Sequence, residues 1–446
     1  MSIVISIDIG TSKICAAAYC TQRMALLGCK SVENSSFVEG QPAGNYEQSA
    51  SLIVEYAMAT AKSLLESDAV AACDVDGIAV TGQMHGVLLV DGKCKPVTNL
   101  ITWRDQRTCA LAVSIGEKYA TANGCGLRTG YGGASLGFLA HNKEFGRDYK
   151  ALSISDYLCA VLSGRISSEP THAASWGIYD ITSQQWNWKM VSELSIPVHI
   201  LPEIKPASRA LGNILPGVAA ELGLSDKVLI YSPIGDNQAA VIGARGQTSD
   251  AAVLNLGTGG QISIPQNDGQ YIGGFETRPM PDGTFILVGA SICGGWTYAY
   301  LKDFFKSVVS EMAGIQLDDQ QVYARMNSFL DINSDILPIE VDPRFCGTRT
   351  DPSIRGLIKS IDAHNLTPKQ LTKGFAKAMV QELFDMIPAN CFGNFSTVTA
   401  CGNAIRKNPA ILKIAAECFG KPVYPAQTNE EASVGAALAA IDMAGK

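Results

Sequence analysis

The stretch from Ile3 to Ala18, IVISIDIGTSKICAAA, decides how the rest of the chain is read. An apolar run from Ile3 to Ile9 carries one acid, Asp8, then breaks at Gly10-Thr11-Ser12 and resumes from Ile14. That pattern predicts a strand, a tight turn and a second strand. Gly10 lets backbone N–H groups approach an anion, and Thr11 and Ser12 add hydroxyl donors, so the turn is shaped as a phosphate cradle. Asp8, at the end of a buried strand, is placed to hold a Mg²⁺ that bridges phosphate oxygens. An ordinary β-turn carries the same residue types, and this stretch alone does not separate the two readings.

A second copy favours the cradle. Leu254-Asn255-Leu256-Gly257-Thr258-Gly259 superimposes on Ile7-Asp8-Ile9-Gly10-Thr11-Ser12, with Asn255 where Asp8 stands. Each half of the chain thus offers a phosphate hairpin, and only the first keeps the carboxylate. One nucleotide gripped by two related domains is simpler than two independent sites. The arrangement resembles actin and the sugar kinases: an α/β fold of two ribonuclease-H-like (actin/hexokinase-type) domains with ATP in a central cleft. No low-complexity linker is present, and the boundary is expected between Gly246 and Asp250, dividing the chain into 1–246 and 247–446.

Composition agrees with two sizeable cores. The chain has 446 residues, of which 47% are hydrophobic and 17% charged. A net charge of −7 without a basic stripe argues against nucleic acid as a partner. No uninterrupted apolar span is long enough to cross a bilayer, and the first apolar run lacks a basic leader, so a cytoplasmic protein with no membrane partner is expected. The 13 cysteines include no Cys-x-x-Cys pair, which argues against a disulfide framework or a zinc knuckle and predicts reduced, mostly buried thiols.

Along the chain, helical spacing between Gln48 and Glu66 leads to a strand from Val75 to Val80, then to the polar corner Thr81-Gly82-Gln83-Met84-His85-Gly86. Corners of this kind often meet small ligands, although His85 could equally bond its own loop. Arg107 is expected to pair with Asp105 or brace a neighbouring loop. Trp176, Trp186 and Trp188 either wall a pocket or fill a core. A strand at Leu229 to Pro233 precedes Gly235-Asp236-Asn237 and a small-residue helix, where Asp236 is either a plain N-cap or a carboxylate presented to a ligand. In the second half, paired Gly294-Gly295 introduce a helix to about Phe305 and can admit a nucleotide closely. Further helices are expected at Thr367 to Met386, up to Phe419, and at Ala432 to Ala437, with a strand at Thr397 to Thr399.

Taken in order, Asp8 to Ser12, Gly82 to Gly86, Trp103 with Asp105 and Arg107, Gly235-Asp236-Asn237, Leu256 to Gly259, Gly347 with Arg349, Arg355-Gly356 and Gly435-Ala436-Ala437 resemble the FGGY family of carbohydrate kinases over the full length. The Gln83-Met84-His85-Gly86 corner is similar to that of the ketose-using branch, the xylulokinases and sedoheptulokinases. His172 to Gly177, Ser183 to Asn187, Val198 to Pro202 and Gly402 to Asn408 look most like the sedoheptulokinases. The resemblance implies ATP-dependent phosphorylation of a ketose, sedoheptulose ahead of D-xylulose, with ATP and Mg²⁺ as cofactors. Asp236 would accept the proton of the attacking hydroxyl, and Gln83, Met84, His85, Asp236 and Asn237 would contact the sugar. Asp8 would help hold Mg²⁺. Thr11, Ser12, Gly257 and Thr258 would line the phosphates, and Gly295, Gly402 and Asn408 would face adenosine. The resemblance is also compatible with a homodimer.

Two departures stand out. Family members usually carry Lys or Arg seven residues after the first Asp, and here that position is Cys15; Lys13, two residues earlier on the same strand face, is the candidate to supply the missing charge. Ala400-Cys401 also replace small glycines of the adenosine loop. These departures suggest a non-catalytic sugar sensor as a second class, and an actin-like filament or chaperone ATPase, which would not require the Gln83-Met84-His85 corner or Gly235-Asp236, is a third; sugar-stimulated ATP turnover would separate a kinase from both.

Overall fold

The computed structural model describes residues 2–68, 70–142, 145–206, 210–246, 248, 250–330, 339–348, 351 and 353–444. Contacts divide the chain into two units, Met1–Gly246 with Gln266–Ile286 and Glu430–Lys446, and Gln247–Pro265 with Leu287–Asn429. The linear division at 246/247 therefore differs from the division by contacts at two segments, 266–286 and 430–446, which fold with the first unit. Arg349 lies outside the described residues.

The first unit is built on a sheet whose strands are β1 (Ile3–Ile9), β2 (Lys13–Cys20), β3 (Ala25–Glu33), β4 (Val75–Gly82), β5 (Ala210–Asn213), β6 (Leu229–Tyr231) and β7 (Ile234–Gly235). Their order is β5-β6-β4-β1-β2-β3, with β7 also on β4. β1 runs antiparallel to β2 and parallel to β4, and β6 continues parallel to β4. Side chains alternate faces along a strand. Ile3, Ile5, Ile7 and Ile9 therefore pack on one side with α1 (Ala50–Leu65), while Val4 joins Tyr19 and Ala79 on the other. Each such buried isoleucine contributes roughly 1.5–3 kcal/mol. Ser49 caps α1 by accepting the Leu52 N–H.

The second face is covered by α2 (Asp236–Arg245) and by the closing helix Glu431–Ala444, which also packs on β1 and β4. These two helices touch backbone to backbone. A Cβ at Gly243 would lie 1.9 Å from Glu431 O, and one at Gly435 would lie 1.8 Å from Ala239 O. The run of alanine and glycine in both helices is what permits this approach. Segment 266–286 is anchored to the same unit by Thr277 N donating to Gly124 O at 2.7 Å.

The second unit repeats the scheme with β8 (Ala251–Leu256), β9 (Gly260–Gln266), β10 (Phe285–Ser291), β11 (Thr397–Cys401) and β12 (Val423–Pro425) in the order β10-β9-β8-β11-β12. Again the first strand is antiparallel to the second and parallel to the fourth. Three consecutive strands followed by a parallel pair in each unit is the ribonuclease-H-like order expected of both halves. The helix expected to end near Phe305 continues as α3 (Gly295–Ala313), because Val308 and Val309 carry on the spacing of Leu301 and Phe305 and Gly314 stops it. All 13 cysteines are free thiols, seven of them buried. No helix among the described residues is long and apolar enough to cross a membrane.

Candidate active site

Asp236 opens α2, directly after β7. It is not the N-cap: Gly235 holds that position and Asp236 is the first helical residue, so its carboxylate is presented at the helix start. Gly235 N–H is held by Thr171 Oγ1 at 2.8 Å, and Thr171 in turn gives its N–H, at 2.7 Å, and its hydroxyl to the buried Glu169 carboxylate. A side chain at Gly235 would meet Met84 Sδ and Gln238 Oε1, each at 2.8 Å. Burial pushes the Asp236 carboxyl up to about 6, against the lowering effect of the Arg278 charge and of the first backbone N–H groups of the helix. At neutral pH it is ionised and basic enough to accept a proton.

The corner after β4 delivers three of the expected sugar contacts in different ways. Met84 is buried next to Gly235. His85 has φ of +73°, a left-handed conformation rarely adopted by a side chain of its size. Its N–H donates to Ser175 Oγ at 3.0 Å, and its Nδ1 lies 2.7 Å from Ser175 O. Because a carbonyl only accepts, Nδ1 carries the hydrogen of this contact. Gln83 points elsewhere: it accepts from Thr11 Oγ1 at 3.2 Å and donates to Gln48 Oε1 at 2.8 Å. Its amide therefore ties the corner to the first hairpin.

Three residues to which the sequence reading gave no role complete this group. Glu276 and Arg278 sit two apart on the strand Glu276–Pro279, on one face. Arg278 Nη1 donates to Asn237 Oδ1 at 2.9 Å and lies 3.8 Å from Met84 Sδ, while Nε and Nη2 reach Glu276 Oε2 at 3.0 and 2.7 Å. Tyr131 donates to Glu276 Oε1 at 2.5 Å and stacks on His85 with ring centroids 4.3 Å apart. Burial alone would raise the Glu276 carboxyl, but the Arg278 charge, helped by His85 and Tyr131, brings it down to about 2. An acid and a base two apart on a short strand is the only local signal, and it is an ordinary one.

In the first hairpin, Gly10 N–H donates to Lys13 O at 2.9 Å, and a Cβ at Gly10 would lie 2.7 Å from that oxygen. Asn34 Nδ2 holds Gly10 O and Gln48 Nε2 holds Thr11 O. Thr11 Oγ1 also accepts from Trp103 Nε1 at 3.0 Å, and Ser12 is exposed at the tip. Asp8 Oδ1 is buried with no hydrogen-bond partner, and burial, with Asp236 nearby and only Lys13 opposing, pushes its carboxyl to about 7. Such an orphaned oxygen suits a hard cation. Among the described residues no group of three or more His, Cys, Asp or Glu side chains could hold a metal alone, so a cation here would take most of its ligands from phosphate and water. Lys13 Nζ is engaged by Glu430, at 3.1 and 3.0 Å from its two oxygens.

Nearby, Arg107 braces a loop as expected, with Nε and Nη2 each 2.9 Å from Asp105 oxygens and Nη2 2.6 Å from Glu47 Oε1. Trp176 and Trp186 stack in a core, whereas Trp188 is exposed.

In the second unit, Gly257 O and Thr258 O accept the N–H groups of Gly295 and Trp296 at 2.8 and 3.0 Å. The paired glycines bring the start of α3 against this hairpin, since a Cβ at Gly294 would lie 2.2 Å from Gly259 C and one at Gly295 2.5 Å from Gly257 O. Gly257 itself would meet only Gly259 O, at 3.9 Å. Gly402, with φ of +94°, packs on Leu256 O and Asn255 Oδ1. Asn408 is buried and donates to Asn327 Oδ1 at 2.9 Å.

Comparison with known proteins fits this arrangement. Residues 3–243 match the N-terminal domain of the FGGY family of carbohydrate kinases, and residues 257–443 match its C-terminal domain. The chain is 29% identical to a sedoheptulokinase of Mus musculus over 402 residues, covering 82% of this chain and 80% of that one. It is 26% identical to a xylulose kinase of Bacillus subtilis (strain 168) over 474 aligned positions, covering 99% and 88%. The solved xylulose kinase of Rhodospirillum rubrum has the same fold, with a TM-score of 0.87, 19% identity, and coverage of 100% of this chain and 90% of that one. With both domain matches in sequence order and the paired ribonuclease-H-like sheets beneath them, the chain belongs to the FGGY family of carbohydrate kinases.

Proposed function

We propose that the protein transfers the γ-phosphoryl group of ATP to a hydroxyl of a ketose, sedoheptulose first, giving sedoheptulose 7-phosphate. The observation that carries this reading is the placement of Asp236: an ionised carboxylate at a helix start, grouped with Asn237, Met84 and His85 through Arg278 and Glu276. Asp236 orients the attacking hydroxyl and takes its proton late in the transfer, because a sugar hydroxyl is too weak an acid to lose it beforehand. Asn237, Met84 and His85 contact other parts of the sugar. Positioning of this kind supplies up to about 7–11 kcal/mol of a barrier at its best limit. Asp8 would hold Mg²⁺, directly or through water, and Mg²⁺ bound with ATP would draw charge from the phosphate oxygens. Thr11 and Ser12 would line the phosphates, and the openness around Gly257 supports a close approach there.

The sedoheptulokinase relative supports sedoheptulose, while the match of the B. subtilis xylulose kinase across 99% of the chain keeps D-xylulose as the second candidate. The test is ADP release with Mg²⁺-ATP and a panel of ketoses at matched concentrations. A larger kcat/KM for sedoheptulose, lost in Asp236→Asn, is expected. D-xylulose as the better substrate would overturn the substrate assignment, and no sugar-stimulated turnover would overturn the kinase reading in favour of a sugar sensor.

A further inference from the structure

The proposed chemistry uses Asp236, Asn237 and His85 but gives no task to the buried ion pair that joins them. Glu276 and Arg278 together span the group: Arg278 touches Asn237, next to Asp236, and Glu276 touches Tyr131, which stacks on His85. The pair thus links a reacting end, at Asp236, to a second end, at Glu276.

We infer that Glu276 and Arg278 are the specificity-determining residues of the sugar site, admitting an uncharged ketose and rejecting an aldonate, whose carboxylate would fall at the Glu276 end. The inference rests on the ketose reading above for the placement of the sugar. Two carboxylates, Glu276 and Asp236, act on the one guanidinium of Arg278, and the charge that lies at the second end is the Glu276 carboxylate itself. Tyr131 and Cys125, which also face the pair, are kept neutral by burial. Arg278 offers an incoming carboxylate no two-pronged edge, because its Nε and Nη2 edge is filled by Glu276 and its Nη1 by Asn237 and Met84, leaving a single Nη2 N–H. A ketose brings hydroxyls and a carbonyl that add no charge. An aldonate of similar length brings a like charge into a desolvated site, where such juxtaposition is costly.

The test is calorimetric binding of sedoheptulose, D-xylulose and D-gluconate to the full chain, which needs no turnover. The wild-type chain is expected to prefer the better ketose over gluconate by about tenfold or more. Glu276→Gln keeps the shape and removes one negative charge, so the preference should shrink by about tenfold. Arg278→Gln leaves both carboxylates uncompensated and should widen it, while Arg278→Lys, which keeps the charge, should hold it near the wild-type value. Simple damage would weaken both sugars alike, so shifts in opposite directions are the diagnostic result. Thermal melting identifies a variant that fails to fold, and the Arg278 pair then decides the matter on its own. A wild-type chain that binds gluconate as well as the ketoses or binds neither, ratios that stay fixed, or ratios that move the same way in both glutamine variants overturn the inference. Ratios that shift as expected without sugar-stimulated ADP release would sink the kinase reading and leave the pair standing.

Discussion

Gly10 and Gly257 occupy equivalent corners of two hairpins, yet a methyl group at Gly10 would press on Lys13 O at 2.7 Å, while one at Gly257 would find nothing closer than 3.9 Å. The surroundings differ as well. The first hairpin is held by side chains, Asn34 on Gly10 O and Gln48 on Thr11 O, and the second by the backbone N–H groups of Gly295 and Trp296. Four residues separate the paired Ile9 and Ile14 in the first, and three separate Leu256 and Gly260 in the second. The acid survives only in the first, as Asp8 with a buried oxygen lacking a partner, whereas Asn255 packs under Gly402. Gly10 is therefore explained by its own turn, whereas the fold places no atom close enough to Gly257 to require a glycine there. A repeated sequence has been put to different uses, charge in one copy and clearance in the other.

The largest expected effect comes from making the first copy like the second. Asp8→Asn should cut sugar-stimulated ADP release by about a hundredfold or more. It should not lower the melting temperature, because it removes a buried charge without a hydrogen-bond partner. A variant with wild-type turnover would erase the distinction between the hairpins.

The same residue should give the chain a pH signature. Unfolded, Asp8 titrates near 3.8, and folded near about 7. Between those values the unfolded chain has released a proton that the folded chain keeps, so stability falls as pH rises from about 4 to about 7 and levels off above that. In metal-free, nucleotide-free protein the Asp8 share of this fall is on the order of a few kcal/mol; Asp156, Glu169 and Asp236 add to it in the same sense, so the slope should become shallower in Asp8→Asn without vanishing, as read by denaturant unfolding across that range.

A smaller difference should separate the glycines. Gly10→Ala is expected to cost about 1–3 kcal/mol in unfolding free energy. Gly257→Ala should stay within about 0.5 kcal/mol while raising the Michaelis constant for ATP severalfold. Equal destabilisation by the two changes would break the comparison. The smallest effect belongs to Lys13, the fourth residue of the longer first hairpin, to which the three-residue second hairpin has no counterpart. Its exposed pair with Glu430 contributes about 0–1 kcal/mol, so Lys13→Ala should leave melting nearly unchanged. A change in the ATP Michaelis constant would show that Lys13 leaves Glu430 for phosphate, and unchanged kinetics would end its candidacy as the replacement for the charge absent at Cys15.

What could be read from the sequence followed local chemistry. The two hairpins, the strand before Asp236 and the small-residue helices announce themselves because apolar periodicity and glycine placement act over a few residues. Asp236 was legible as a site candidate, and its standing as first helical residue rather than cap depended only on one position. Arg278 and Glu276 were not legible. They lie about forty residues beyond Asp236, after the expected boundary, and gain their meaning only when segment 266–286 folds back onto the first unit. Gln83 shows the reverse case, where a motif suggests a ligand contact but the side chain serves Thr11 and Gln48. No local pattern reports which way an amide will face.

The backbone contact at Gly243 and Gly435 has a consequence for how the chain is made. The helix that presents Asp236 has its partner face supplied by Glu431–Ala444, nearly two hundred residues later. On the ribosome, the sheet of the first unit can form early, but one of its faces is only partly covered, by α2, until Glu431–Ala444 has emerged. All of the second unit's strands are synthesised in that interval. The first unit is thus completed after the strands of the second, and Asp236 gains the partner face of its helix only once Glu431–Ala444 has been made.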